Sequence, residues 1–144
     1  MTPTEIRAAC TALSATDAAF AALVAARSDV DVADSLNASL KRTKVVPTLG
    51  GIGLVLRTLG PTEGAATLDA LQAASASNSA IKWAMTLIDR GDLDFGDPTT
   101  QAQIDALGAA GVITADAATK LRAAATAADD LTVGQVSDAL NGAA

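Results

Sequence analysis

The chain of 144 residues contains no His and no Tyr, and only one Cys, one Trp and two Phe. Each scarcity removes a chemistry. Without imidazole there is no Ser-His-Asp or Cys-His nucleophile pair and no His metal ligand. A lone Cys10 closes no internal disulfide and builds no Cys-type zinc site. Stacking on bases falls to Phe20, Trp83 and Phe95, which lie far apart in sequence, and a formal charge of −6 disfavours a non-specific grip on nucleic acid. Long apolar runs are also missing. The longest, Val45 to Leu56, is broken by Pro47, Thr48 and three glycines, and it falls short of the roughly 20 residues a membrane helix needs. The stretch Met1 to Arg7 carries Glu5 and has no basic region leading into an apolar one, so no secretory signal is expected. These absences predict a soluble protein made in the cytoplasm, with no cofactor, no nucleic-acid partner and no membrane partner.

What the chain does have is alanine, 35 residues of it, and a succession of helix boundaries. Thr2-Pro3-Thr4-Glu5 is a capping box with proline at the first helical position, where the missing N–H costs nothing. Ser14-Ala-Thr-Asp17 opens a second helix with Phe20, Leu23 and Val24 on one face, and Asp31 precedes the stripe Val32, Leu36, Leu40. Thr48 is expected to cap a segment running to Leu59, stopped by Gly60-Pro61. Thr62 opens a helix with Leu68 and Leu71. Ser77 or Ser79 opens another with Ile81, Met85 and Ile88 inward, ending at Gly91. Asp97-Pro98 starts a helix carrying Ile104 and Leu107, Thr114 caps a segment through Ala128, and Thr132-Val-Gly-Gln135 is a last capping box before Val136 and Leu140. Strand signals are weak, only Val45–Leu56 competing. No fixed repeat and no low-complexity linker divides the chain. The expected fold is all-α, a single compact domain over residues 1–144 of about eight or nine short helices.

Fourteen of the sixteen acids are Asp, and several stand where a helix begins. A short carboxylate there bonds free backbone N–H groups and suits the helix dipole, so most of these acids read as structural. Asp89, Asp92, Asp94 and Asp97 crowd one glycine-containing loop, but the spacing is not that of a helix-loop-helix calcium site, since Gln103 stands at the twelfth position from Asp92. Cap and turn roles are preferred, and an Asp-and-metal enzyme has no ligand set to rest on. Gly50-Gly51-Ile52-Gly53 lacks the third glycine of a dinucleotide fingerprint and the Lys-Ser/Thr of a phosphate loop, so close packing explains it better. Cys10 reads as a small buried hydrophobe rather than a reactive thiol. Trp83 reads as the core anchor of its helix rather than an interface hot spot.

One feature is electrical. Residues 41–60 contain Lys41, Arg42, Lys44 and Arg57 and no acid, giving +4 there against −3 before and −7 after. These four residues are the candidate partner-binding set, a docking surface for an acidic partner or for the acidic part of another copy. The alternative is an ordinary solvated connector. No catalytic, metal or cofactor residues are nominated. Leu, Ile, Val and Phe total only 33, and so thin a core should be better stabilised with neighbours bound than alone.

Three stretches, Asp29-Val-Asp-Val-Ala-Asp-Ser-Leu-Asn37-Ala38, Leu107-Gly-Ala-Ala-Gly-Val-Ile-Thr114-Ala-Asp116 and Val133-Gly-Gln-Val-Ser-Asp-Ala-Leu140, stand in order with Trp83 between the first two. In this order and spacing the chain resembles a family of small all-helical proteins of long-tailed (siphovirus-type) bacteriophages. Residues 45–60 depart from the family in being glycine-rich and aromatic-poor. The resemblance implies a virion-associated structural role with no catalytic residues. The expectation is therefore a non-enzymatic virion protein, made in the host cytoplasm and placed in the tail or tail tip. It would be held in several copies by contacts with itself and other virion proteins, as a symmetric homo-oligomer. Capsid decoration or a head-tail position is the nearest variant, and a cytosolic helical adaptor gripping a partner helix is the alternative from another class.

Overall fold

The expected capping boxes and proline starts recur as helix N-termini in the computed structural model, which describes residues 1–142. In chain order the elements begin α1 (Pro3–Ser14), α2 (Ala18–Ala25), α3 (Asp29–Leu40), β1 (Thr43–Val45), β2 (Leu49–Gly50), α4 (Ile52–Leu59) and α5 (Pro61–Ser75). They continue with α6 (Ser79–Arg90), β3 (Leu93–Asp94), α7 (Pro98–Ala109), α8 (Ala115–Ala123), β4 (Thr126–Ala128) and α9 (Val133–Asn141). The protein is all-α, with nine helices among the described residues and strands of only two or three residues. The chain divides into two compact units. The first joins Met1–Thr43 to the C-terminal stretch from Ala128, and the second is Lys44–Ala127.

In the first unit, α1 packs on α2 and α9, and α3 packs on α2 and α9. Thr2 and Glu5 form the expected box: the Glu5 N–H donates to Thr2 Oγ1 at 3.3 Å and the Thr2 N–H to Glu5 Oε2 at 2.7 Å. Asp17 caps α2 through the Phe20 N–H, and Thr132 caps α9 with Gln135 completing the reciprocal pair. The buried faces follow helical spacing: Ile6 and Cys10 from α1, Phe20 from α2, Val32 and Leu36 from α3, and Val136 from α9. Each larger side chain removed from water contributes about 1.5–3 kcal/mol, an alanine much less. Polar bonds tie the two segments together. Asn37 Oδ1 accepts from the Leu131 N–H at 2.7 Å while its Nδ2 donates to Leu131 O at 3.0 Å. Arg7 donates to Ala139 O and, at 3.1 Å, to Gly142 O.

The second unit is continuous in sequence. Its helix α4 packs on α5 and α8, α5 on α6, and α7 on α8. β2 pairs antiparallel with β3, Leu49 opposite Asp94 and Gly50 opposite Leu93. Gly60, at φ +84°, lets α4 stop and α5 start at Pro61 with a single residue between them. Asn78 caps α6 through the N–H groups of Ala80 and Ile81, and Asp97 caps α7 through those of Thr99 and Thr100. Val55, Leu71, Ile88, Phe95, Ile104 and Leu121 are among the buried side chains of its core. Lys120 on α8 reaches Glu63 on α5 at 2.9 Å and also pairs with Asp116. Those hydrogen bonds hold its ammonium above the ordinary lysine range, first through Asp116 and then through Glu63.

Several boundaries differ from those expected. Thr48 does not cap a helix. Its hydroxyl donates to Val46 O, its own N–H goes to Asp94, and the chain passes through β2 before α4 begins at Ile52. The helix from Thr114 ends at Ala123 instead of Ala128, and 126–128 form β4, which pairs with β1. Alanine's helix preference yields there to strand pairing and to Ala125, which is fully buried. Ser28, not Asp31, precedes α3, Gly60 and not Thr62 precedes α5, and Asn78, not a serine, caps α6. Leu40, expected on the inner stripe of α3, is exposed in the helix's last turn.

Candidate docking site

The four basic residues of the candidate docking set do not stand in one element. Lys41 terminates α3 in the left-handed conformation, φ +45°, and is exposed. Arg42 follows it and pairs with Asp129, each side chain retaining only about a quarter of its exposure. Lys44 is an exposed residue of β1. Arg57 projects from the last turn of α4, where a basic side chain suits the helix dipole, and lines a shallow depression with Gly50–Gly53, Asp89, Arg90 and Gly91. Lys41 and Arg42 belong to the first unit, and Lys44 and Arg57 to the second. Arg42 is thus partly committed to its own unit, whereas Lys41 and Arg57 present their charge on exposed residues.

Trp83 overturns its expected role. It is 67% exposed, on α6, with Leu87 one turn further on and 39% exposed. The inward face of α6 is Ile81, Met85 and Ile88, all buried. At about 100° per residue, position 83 lies some 200° from position 85, on the outer side of the helix. The signal was in the spacing: a helix that buries Ile81, Met85 and Ile88 has no room on that face for residue 83. Ile52, 41% exposed, lines the depression beside Arg90 and Gly91, at the C-terminal end of this same helix.

Two of the four acids of the loop, Asp94 and Asp97, bond backbone N–H groups. Asp94 Oδ1 accepts from the N–H groups of Thr48 (2.7 Å) and Gly96 (2.9 Å), while Asp97 Oδ1 accepts from those of Thr99 (2.8 Å) and Thr100 (3.1 Å). Among the described residues no three acids or thiols gather as a metal-ligand set. The glycines at 50–53 serve packing. A Cβ on Gly51 would lie 2.2 Å from Ile88 O, so only glycine lets the start of α4 abut the end of α6. The neighbour there is a helix C-terminal carbonyl, the wrong polarity for a phosphate. Cys10 is 3% exposed and its thiol is pushed up by burial, the condition of an inert core residue. No described helix is long and apolar enough to cross a membrane.

The chain matches no protein-family model, no curated protein and no solved structure.

Proposed function

We propose that this chain is a non-enzymatic structural subunit of a tailed-phage particle, in the tail or tail tip, working through contacts with copies of itself and with other virion proteins. The observation that carries the reading is the outer side of α6. An indole 67% exposed, followed at one turn by Leu87, leaves in water the residue type that contributes most at protein interfaces. A chain with a single Trp that points it outward has a reason to meet a neighbour. The three stretches similar to the phage family fall on α3, on the turn between α7 and α8, and on α9. They therefore support the reading as scaffold elements and not as chemical groups. Exposed Lys41 and Arg57 favour approach to an acidic surface, in a chain whose remaining charge is negative.

Mass spectrometry of purified phage particles tests this directly. The chain's peptides should be recovered in several copies per particle, and particles that lack it overturn the virion role. In reconstituted assembly, Trp83→Ser should abolish incorporation while circular dichroism of the free chain is unchanged, because residue 83 supports no core. Reversal of Lys41, Lys44 and Arg57 to Glu should slow incorporation and weaken its salt dependence.

A further inference from the structure

The second unit contains a cavity of about 150 Å³ between α6 and α7. Its walls include Ile81, Met85 and Ile88 from α6, Ile104 and Leu107 from α7, and Phe95. Five of these six are buried and Leu107 is partly buried, while Asn78, Ala80, Gln103 and Ala106 of the lining are exposed, so this is an apolar cleft that reaches into the core and opens to solvent on one side. Its origin is legible in composition. Ala80 and Ala84 on α6 and Ala106 on α7 stand at the lining where larger side chains would close the gap.

We propose that this cavity is a binding site for a compact, uncharged apolar molecule about the size of one aromatic ring. Three observations select that class. The volume is that of dry cavities which accept benzene when lined by Leu, Ile and Phe. No Lys, Arg, Asp or Glu lines it, so a charged ligand would enter without a counter-charge. Ordered water needs two to four polar partners, and outside Asn78, Thr100 and Gln103 the lining side chains are all apolar, so the inner part of the space favours an apolar occupant. Of the three polar lining residues, Asn78 uses its Oδ1 to cap α6, which leaves its Nδ2 amide together with Thr100 and Gln103 as the hydrogen-bonding groups. These give a ring bearing one hydroxyl or N–H a place for its polar atom. The site is separate from the outward Trp83 and does not depend on the assembly role.

The test is titration of the full chain with benzene and, separately, indole, followed by amide chemical shifts and thermal unfolding. Shifts confined to the second unit and centred on residues 80–88, 93–95 and 100–107, saturating within about 0.1–10 mM for so few ligand atoms, together with a raised Tm, are expected. Ala84→Val and Ala106→Val each fill part of the space. Each should keep native helicity, raise Tm in the absence of ligand, and reduce benzene affinity at least tenfold. If only one variant folds, it alone carries the comparison. The absence of saturable shifts, shifts spread over both units, or undiminished binding in a folded filled variant would overturn the proposal.

Discussion

In the unit formed by Met1–Thr43 and the C-terminal stretch, two segments far apart in sequence share one small core, of which Ala33 and Ala139 are part. In Lys44–Ala127, a continuous segment builds a larger core and leaves a cavity within it. The chain has few large apolar side chains for either, and the two units meet that shortage differently. The discontinuous unit must bring α9 to α1 and α3 against the entropy of closing a long intervening loop. It is held by side chains that recognise backbone, Asn37 on Leu131 and Arg7 on Ala139. The continuous unit closes mainly through successive helices, α4 on α5, α5 on α6 and α7 on α8, with α4 on α8 and β2 on β3 as its longer-range contacts, and retains its fold around an imperfectly filled interior. In the discontinuous unit, side chain-to-backbone bonds fix the distant segment, while the continuous unit keeps a cavity inside its core.

The strongest way to break that contrast is to open the smaller core. Leu36→Ala, at a side chain 1% exposed, should cost about 2–5 kcal/mol. Because Cys10 is buried in the same core, alkylation of its thiol in dilute denaturant should accelerate with this variant. Unfolding of α4–α8 followed by amide exchange should move little. If exchange in both units rises equally, the units unfold as one and the contrast fails.

Asn37→Ala comes next, at about 1–3 kcal/mol, since it strips the Leu131 N–H and C=O of their partner together. Denaturant midpoints measure it, and a loss below about 0.5 kcal/mol would mean that apolar contacts alone hold α9 in place. In the second unit, Asp97→Ala removes the cap of α7 and should cost about 1 kcal/mol. It should also loosen the α7 wall of the cavity, visible as faster exchange of the Thr99 and Thr100 amides.

The smallest effect is a pH dependence. The Thr2 backbone N–H, and then its hydroxyl, hold the Glu5 carboxyl below its ordinary value of 4.5. A lowered folded pKa contributes stability that is present above the unfolded value and lost as pH falls through the folded one. Thermal unfolding of the native chain and of Glu5→Gln should therefore converge as pH is taken from 7 to 3, with the native chain the more stable at pH 7. A constant difference across that range would show that Glu5 acts through something other than its charge.

Much of this architecture could be read residue by residue. Thr2, Asp17, Asp97, Thr114 and Thr132 cap helices as their sequence context predicts, because a cap is a bond between a side chain and amides two or three residues away. The strands β3 and β4 were not legible, since Leu93–Asp94 and Thr126–Ala128 have no pattern of their own and exist only through β2 and β1. The passages at 43–44 and 127–128 carry no glycine or proline, and the charges beside them, Lys41, Arg42 and Lys44 on one side and Asp129 and Asp130 on the other, do not by themselves mark a boundary. Of the candidate docking set, the positive charge of Lys41, Arg42, Lys44 and Arg57 was plain. That Arg42 is tied to Asp129 depends on two positions far apart in the chain meeting in space.

By itself, then, the sequence determined the all-α class, the start of most helices and the absence of imidazole chemistry, because propensity, capping and composition act within a few residues. The tertiary structure alone decided that residues 128–142 join the N-terminal helices and that Ala80, Ala84 and Ala106 border one cavity. These depend on which helix faces meet, and short alanine-rich helices carry too few large side chains for that pairing to be read from any one of them.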